Sequence, residues 1–271
     1  MNTVRKHIST IKGGRLAKYI HPARIVNLLI MDEIAGQPWG PTVPDTTTFD
    51  DAITVLKKYN LWDNAPISVR NHLLNGKSDR TLETLKPKDF KNFFVQNVIL
   101  ADNKMMCESA RRRAEELGFD SLILSTVLEG ESKQAGLFLA SIAKEIEERK
   151  APIKSPCILI LAGETNVTIT GEYGKGGPSQ ELVLGASFKI AGSEKIVIAS
   201  IDTDGTDGPT EIAGGIVDGY TLKRARSKNI DIFESLSKHN SSKVLNGLQD
   251  ALITNATDTN VMDLNIAVIT T

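Results

Sequence analysis

Cysteine is scarce in this sequence, with only Cys107 and Cys157 in 271 residues. The two lie far apart and lack the spacing of metal ligands, which excludes a disulfide-rich scaffold and a cysteine-based zinc site. Isolated thiols of this kind are typical of buried side chains in a reducing compartment. We therefore expect a cytoplasmic protein.

An excess of charge of one sign is also missing, because 32 Lys and Arg residues face 33 Asp and Glu residues. Without an overall basic field, the chain is not expected to bind nucleic acid. Long hydrophobic runs are missing too, since none approaches the roughly 18 residues of a membrane span. The first ten residues have no apolar segment after their basic residues. We expect neither a membrane partner nor an export signal.

Candidate nucleophiles and bases are few. The four histidines have no partners at the spacing of a metal site or a catalytic triad, and we interpret them as surface or satisfied core residues: His7, His21, His72 and His239. The G-x-S-x-G motif of serine hydrolases does not occur. These absences argue against a serine hydrolase.

The pattern that is present alternates short apolar runs with longer segments of helical period, as in an α/β protein. It predicts layers of helices around mainly parallel or mixed sheets, with a domain boundary near residues 88–96. Thr48 followed by Asp51 predicts a capped helix start. A helix is predicted over 180–192, and strands are predicted over 24–31, 157–164, 166–171, 195–201 and 265–270.

Carboxylates follow the ends of several predicted strands. In open α/β sheets, ligands bind beyond the carboxyl ends of the strands, so these side chains are expected to share one rim. They either cap helices and turns or face a hydrated Mg²⁺ ion and the phosphates that it bridges. The set consists of Asp32, Glu33, Glu131, Glu164, Asp202, Asp204 and Asp207.

Two further loops carry polar groups. The glycine-rich stretch 171–181 contains Lys175 and leads into a predicted helix, so its amides are candidates for binding an anion. It lacks the Walker spacing and matches a dinucleotide fingerprint only imperfectly, with Ser179 at the third glycine position. The turn at 256–269 offers Thr259, Asn260 and Asp263, which either contact a substrate or close the turn.

Seven motifs, in order along almost the whole chain, resemble the glycerate 2-kinases that carry a MOFRL domain, also labelled hydroxypyruvate reductase-like. They are "VRKHISTIKGGRLA", "GPTVPD", "GES", "GETNVTITGEYGKGG", "QEL", "DTDGTDGPTEIAGGIVDG" and "TDTNVMDL". The resemblance implies phosphorylation of D-glycerate at its 2-hydroxyl by ATP with Mg²⁺. It also implies two α/β domains, over 1–95 and 96–271, with the MOFRL core at about 154–266.

The resemblance also assigns roles to residues. It implies a catalytic set of Asp32, Glu164, Asp204 and Asp207, with Asp204 and Asp207 holding the metal. It implies substrate or phosphate contacts from Lys175, Gly176, Gly177, Gln180, Glu181, Thr259 and Asn260. Pro178 and Ser179 stand where the family usually has Arg and Asn, so a bidentate clamp on an anion is missing at that position.

Family members carry well over a hundred residues before the equivalent of "NTVRKH", including a glycine-rich phosphate loop and a catalytic lysine. We therefore expect an incomplete first domain, whose missing half is supplied separately or replaced in a homodimer. Two alternatives stay open: an NAD(P)H-dependent hydroxypyruvate reductase, and a non-catalytic ligand-binding or subunit module.

Overall fold

The computed structural model of the chain describes residues 1–31 and 40–271. Of these, residues 1–29 and 40–100 form one compact unit, and residues 30–31 with 101–271 form a second. The candidate residue Asp32 lies outside the described residues. Along the described chain, no helix is long and apolar enough to cross a membrane.

The first unit combines short helices with a two-stranded sheet. Its helix at Phe49–Lys58 begins with the predicted capping box, because Thr48 and Asp51 exchange side-chain and backbone hydrogen bonds. The apolar core contains Phe49, Ile53 and Leu73. The elements are α1 (Asn2–His7), α2 (Arg15–Ile20), β1 (Ile25–Ile30), α3 (Phe49–Lys58), α4 (Ile67–Ser78) and β2 (Val95–Ala101), with two 3-10 turns at Arg80–Leu82 and Pro87–Asn92.

The second unit alternates helices and strands. Its elements are α5 (Asn103–Glu116), β3 (Asp120–Leu128), α6 (Ser132–Arg149), β4 (Cys157–Gly163), α7 (Pro178–Ile190), β5 (Ile196–Asp202), β6 (Gly214–Asp218), α8 (Thr221–Ser227), α9 (Ile232–Ser237), α10 (Ser241–Leu248), β7 (Ala251–Leu252) and β8 (Asp263–Ile269). The strands form one sheet in the order β3-β4-β8-β5-β6-β7.

The sheet of the second unit is mixed. Strands β3 and β4 are parallel, whereas β8 runs antiparallel to both β4 and β5, and β6 runs antiparallel to β5 and β7. The prediction of a layered α/β protein with mixed sheets is confirmed. The alternative of mainly parallel strands does not hold for this sheet, because β8 lies antiparallel between β4 and β5, and β6 is antiparallel to both of its neighbours.

Helices cover both faces of this sheet. Alternate residues of β4 point to opposite sides, so Ile158 and Ile160 pack with Cys107 of α5, while Leu159 and Leu161 pack with the core that includes α6 and α7. Burial of each such aliphatic side chain stabilises the fold by about 1.5–3 kcal/mol. Strand β4 is therefore buried along its whole length.

The strand predicted over 166–171 is wrong. Only an isolated bridge joins Asn166 to Glu131, and residues 167–170 lie outside any strand. The physical reason is that β3 and β8 already occupy both edges of β4. A segment following β4 has no free strand edge beside it, and Thr168 to Thr170 are exposed.

Candidate functional site

The ends of three adjacent strands meet at one edge of the second unit's sheet. Strand β4 ends at Gly163 and β5 ends at Asp202, and both residues lie opposite Asp263, the first residue of β8. The antiparallel direction of β8 brings its beginning to the same edge. Glu164 follows β4 directly at this edge and is exposed. The predicted rim of carboxylates therefore has a physical basis, and Asp263 belongs to it.

The aspartates directly after β5 order their own turn. The Asp202 carboxylate accepts a hydrogen bond from the Asp204 N–H at 3.1 Å, and Asp204 accepts from the Thr206 N–H at 2.7 Å. Such bonds to an N–H two residues ahead are typical of aspartate turns. Burial raises the pKa of Asp202, and the charges of Asp204 and Glu164 add to this rise.

Asp207 caps the first turn of α7 from a distant loop. Its two carboxylate oxygens accept hydrogen bonds from the N–H groups of Ser179, at 3.2 Å, and Gln180, at 2.9 Å. The side chain is fully enclosed, and this burial raises the pKa of Asp207 to about 7 against the opposing effect of the two N–H donors. The Asp207 carboxylate therefore already occupies the N–H groups at the start of α7 that an external anion would have to bind.

Asp263 and Ser179 are buried polar residues with atoms that have no hydrogen-bond partner. Asp263 is 3% exposed and Ser179 is 0% exposed, and neither Oδ2 of Asp263 nor Oγ of Ser179 has a partner within bonding distance. Burial raises the pKa of Asp263 well above its usual range, and the nearby charges of Asp207, Asp202 and Glu164 raise it further. The Ser179 side chain faces this carboxyl and opposes the rise.

Gln180 and Glu181 point into a buried polar network. The Gln180 amide nitrogen donates to the Asp207 carbonyl and to the Thr210 hydroxyl, and its oxygen accepts from Ser242 at 2.7 Å. Glu181 Oε1 lies 2.9 Å from Nδ1 of His239. Burial raises the pKa of Glu181, whereas the contact with His239 opposes the rise. Both side chains tie α7 to the segment from 238 to 242.

The glycine-rich loop before α7 packs tightly against protein groups. The Gly174 N–H donates to the Lys238 carbonyl, and the Lys175 N–H donates to the Asn240 side chain. An added Cβ at Gly176 would lie 2.2 Å from the Ser241 hydroxyl, and one at Gly177 would lie 2.4 Å from the Asp207 carboxyl carbon. Close packing thus explains these glycines, while the Lys175 side chain remains exposed.

The polar turn before β8 is tied to the Asp202–Asp207 loop. Thr257 N–H donates to the Asp204 carbonyl, and the Thr203 hydroxyl contacts both the Val261 N–H and the Met262 carbonyl. Three of the predicted site residues, Asp204, Thr259 and Asn260, line one open cavity together with Thr206, Ala256 and Asp258.

Comparison with known proteins decides the family. Residues 157–263 match the MOFRL family, and residues 1–74 match a domain of unknown function, DUF4147. Glycerate kinase of Macaca fascicularis is 30% identical over 98% of this chain and 77% of its own length. The chain belongs to the glycerate kinase family.

Other members of this family are more similar to the chain. Glycerate 2-kinase of Pyrococcus horikoshii is 48% identical over 100% of the chain and 61% of its own length. The crystal structure of glycerate kinase from Thermotoga maritima superimposes with a TM-score of 0.81 at 39% identity, over 99% of this chain and 62% of that one. The chain thus spans about three-fifths of the length of these two glycerate kinases.

In this glycerate kinase family member, the structure groups the predicted site residues unequally. Glu164, Asp202 and Asp263 come together at the strand ends, and the Asp207 carboxylate lies at the start of α7. Asp204, Thr259 and Asn260 share the neighbouring cavity. Gln180 and Glu181 are buried, and Lys175 with Gly176 lies against residues 238–242 instead of the carboxylates.

Sequence reasoning left Asp263 as either a substrate contact or a turn residue, and it gave no site role to Ser179 or His239. Asp263 was recognisable as a polar residue just before the last strand, but its place beside Asp202 depends on the antiparallel order of the strands. His239 was interpreted as either a surface or a satisfied core residue, and it is the latter, because it is 8% exposed and contacts Glu181.

Proposed function

We propose that this chain carries out the glycerate-binding part of a D-glycerate 2-kinase, which transfers the γ-phosphoryl group of ATP to the 2-hydroxyl of D-glycerate. The observation that carries the proposal is the 48% identity, along the whole chain, with a glycerate 2-kinase. Phosphoryl transfer depends mainly on positioning the reactants and neutralising the charge on the phosphates. The carboxylate rim at the ends of β4, β5 and β8 supports this chemistry by offering oxygen ligands for a cation.

The rim fits Mg²⁺ in its donor set. It supplies carboxylate and hydroxyl oxygens, which are the ligands that this ion prefers, and one buried carboxylate oxygen of Asp263 has no partner. When bound, Mg²⁺ would neutralise charge on phosphate oxygens. The assignment of Asp204 and Asp207 as its ligands stays a prediction, as does the catalytic set of Asp32, Glu164, Asp204 and Asp207. The enclosed Asp207 carboxylate is already bonded to two amides.

The start of α7 does not fit the phosphates of ATP. The Ser179 and Gln180 amides bind Asp207, and the Gly174 and Lys175 amides bind residues 238 and 240. We therefore derive no step of the reaction through this helix start. In the proposed site, the exposed ammonium of Lys175 attracts anionic ligands, and Thr259 and Asn260 contact the hydroxyl groups of glycerate. The roles of Gly176, Gly177, Gln180 and Glu181 are then to hold the loop and α7 in place.

A second polypeptide or a second copy of the chain is part of the proposal. Strands β1 and β2 expose large apolar side chains, with Val26 62%, Leu28 65% and Leu100 50% exposed. A two-stranded sheet is only marginally stable alone, so an additional partner covering it is favoured. We expect no nucleic-acid or membrane partner, and a cytoplasmic location stays a prediction, as do the domain limits 1–95 and 96–271.

The reductase alternative receives little support from the geometry. A dinucleotide fingerprint places a pyrophosphate at the start of a helix that directly follows a strand. Here residues 164–177 separate β4 from α7, and the Asp207 carboxylate occupies the helix start. The non-catalytic alternative predicts glycerate binding without turnover.

The proposed function is tested by incubating the chain with ATP, MgCl₂ and D-glycerate and measuring 2-phosphoglycerate directly. The assay is run with the chain alone and with the chain mixed with a polypeptide for the remaining two-fifths of the Pyrococcus horikoshii glycerate 2-kinase. We expect ATP-dependent product in at least the mixture. No product in either sample would contradict the kinase proposal, and oxidation of NADH with hydroxypyruvate would favour the reductase.

A further inference from the structure

The side chains of Asp202 and Asp263 lie next to each other on one face of the sheet. The two residues are directly opposed in the antiparallel pair formed by β5 and β8. Opposed residues in such a pair have Cβ atoms about 4.5–5.5 Å apart. The neighbouring strand β4 contributes Gly163 at the same level, opposite Asp263. Two carboxylates therefore leave the sheet side by side at the end of β5.

An unpartnered hydroxyl points to a ligand beside these carboxylates. Ser179 is 0% exposed, its Oγ has no hydrogen-bond partner, and its side chain faces Asp263. Asp263, 3% exposed, also has an unpartnered Oδ2. Buried polar atoms in native proteins are almost always bonded, and leaving one unsatisfied costs about 1–3 kcal/mol. The Ser179 hydroxyl lies close enough to the Asp263 carboxyl to influence it, but neither oxygen has a hydrogen-bond partner of good geometry, so a ligand in contact with both would satisfy them.

The charge around these oxygens decides what kind of partner fits. After burial, the negative charges of Asp207, Asp202 and Glu164 have the largest effects on the Asp263 carboxyl group. A water molecule would bond to the two oxygens but would not offset the repulsion between these carboxyl groups when they ionise. A divalent cation satisfies the oxygens and also neutralises the charge.

We propose that Asp263, Asp202 and the hydroxyl of Ser179 form a divalent cation site at the joint end of β4, β5 and β8. The donors are all oxygen atoms, which selects hard ions such as Mg²⁺ and Mn²⁺. Within the described part of the chain, no three His, Cys, Asp or Glu side chains are grouped as ligands of one ion. The site therefore uses two carboxylates and completes its coordination with the hydroxyl and water, as Mg²⁺ sites commonly do.

This site differs from the predicted pair Asp204 and Asp207. It deepens the magnesium part of the proposed function and rests on that function for the identity of the physiological ion. Binding of an ion to the chain can be measured without any substrate, so the site and the kinase activity are tested separately.

The test is a titration of the full chain with Mn²⁺, followed by electron paramagnetic resonance of the free ion and by the rise in melting temperature. We expect one site in the wild type, a dissociation constant raised about tenfold or more in Asp263→Asn and Asp202→Asn, and a smaller loss in Ser179→Ala. The matched control is Glu211→Gln, an exposed acid of the loop between β5 and β6, which should bind as the wild type does. Circular dichroism in EDTA checks that each variant is folded.

The alternatives give different outcomes. If Mn²⁺ binds equally well to Asp263→Asn, or if Asp204→Asn alone abolishes binding, the proposed site is wrong. If the wild type binds no Mn²⁺ in this range, the orphaned oxygens hold water and the site is also wrong, even if glycerate is phosphorylated. Binding that is lost in the Asp263, Asp202 and Ser179 variants supports the site even if no phosphorylation is found, an outcome that would contradict only the proposed function.

Discussion

Single residues at the start of α7 have more than one structural role. Asp207 accepts two backbone hydrogen bonds there, and Gly177 packs closely against the Asp207 carboxyl group. The Ser179 side chain lies near Asp263. A loop that reads as flexible and anion-binding from its glycines is, in the folded chain, a closely packed connection. The identity of each residue is set by the neighbours that it meets.

Replacing Gly177 by alanine is expected to destabilise the protein in the absence of any ligand. The added Cβ would lie 2.4 Å from the Asp207 carboxyl carbon, which is buried and bonded and so has little room to move. We expect Gly177→Ala to lower the free energy of unfolding in urea by about 1–3 kcal/mol. Glu172→Ala, at an exposed position of the same loop, should change it by less than about 0.5 kcal/mol. Equal stability of the two variants would show that the glycine is not needed for packing.

The two thiols are expected to be inert in the native protein. Burial, with a smaller effect of Glu108, raises the pKa of Cys107 to about 11, and burial also raises the pKa of Cys157. Because the thiolate is the reactive form, neither thiol should react with an aromatic disulfide reagent at pH 8, whereas both should react in urea. Ser109→Cys places a thiol at an exposed position on α5 and provides the positive control. Rapid reaction of the wild-type protein would contradict the burial of both side chains.

At the scale of elements, α6 and α7 approach closely because glycine lies on both sides of the contact. A Cβ at Gly136 of α6 would lie 1.9 Å from the Leu182 carbonyl oxygen, and a Cβ at Gly185 of α7 would lie 2.4 Å from the Lys133 carbonyl oxygen. The close approach fixes the position of α7 over the sheet. It thereby also fixes Ser179, Gln180 and Glu181 at the candidate site.

Gly136→Ala should therefore disturb both stability and the site. Alanine is the better helix former, so local propensity alone predicts a gain of up to about 1 kcal/mol, but the methyl group has no space against backbone atoms. We expect a net loss of about 1–3 kcal/mol by urea unfolding, together with weaker Mn²⁺ binding. The control is Gln134→Ala, which is exposed on the same helix. A Gly136→Ala protein as stable as the wild type would mean that the two helices can separate without cost.

The order of the strands is the element-level feature that the sequence did not reveal. The apolar runs predicted β4, β5 and β8 with nearly correct limits, because a buried strand needs β-branched and aliphatic side chains. Nothing local in the run from 265 to 270 indicates that it inserts between β4 and β5. Because β3 and β8 occupy both edges of β4, the segment after Asn166 has no strand to pair with. Its alternation of apolar residues therefore predicted a strand that does not form.

At the scale of the whole chain, the family motifs predicted more of the fold than of the site. They gave the α/β class and the glycerate kinase family because both depend on long patterns of residues. The site depends on which buried polar atoms have no hydrogen-bond partner once the chain has folded. Ser179 shows this, since its bonded N–H and its unpartnered hydroxyl could be distinguished only once Asp207 and Asp263 had been placed around it.

The two compact units are expected to respond to pH in opposite directions. In the first unit, burial would raise the pKa of Asp45 and Glu83, but hydrogen bonds and positive charges, including Lys6 for Asp45 and Lys86 for Glu83, hold both below their usual values. Such acids bind fewer protons in the native state than in the unfolded one. Their contribution is present above their unfolded pKa values of about 4 and is lost as the pH falls below them.

The second unit has the reverse sign, because burial raises the pKa values of Asp202, Glu181 and Asp263 and raises that of Asp207 to about 7. Its native state binds more protons than its unfolded state, so in EDTA its stability should fall as the pH rises from about 4 to 7. Asp207 contributes to this loss across the range between its unfolded pKa and about 7. Hydrogen exchange with mass spectrometry, corrected for the intrinsic exchange rate, should show slower opening of residues 101–271 at pH 5 than at pH 7.5. Asp207→Asn should flatten this dependence, and Mn²⁺ should reduce it at pH 7.5. An unchanged slope in Asp207→Asn would mean that its carboxyl group ionises as readily in the native as in the unfolded chain.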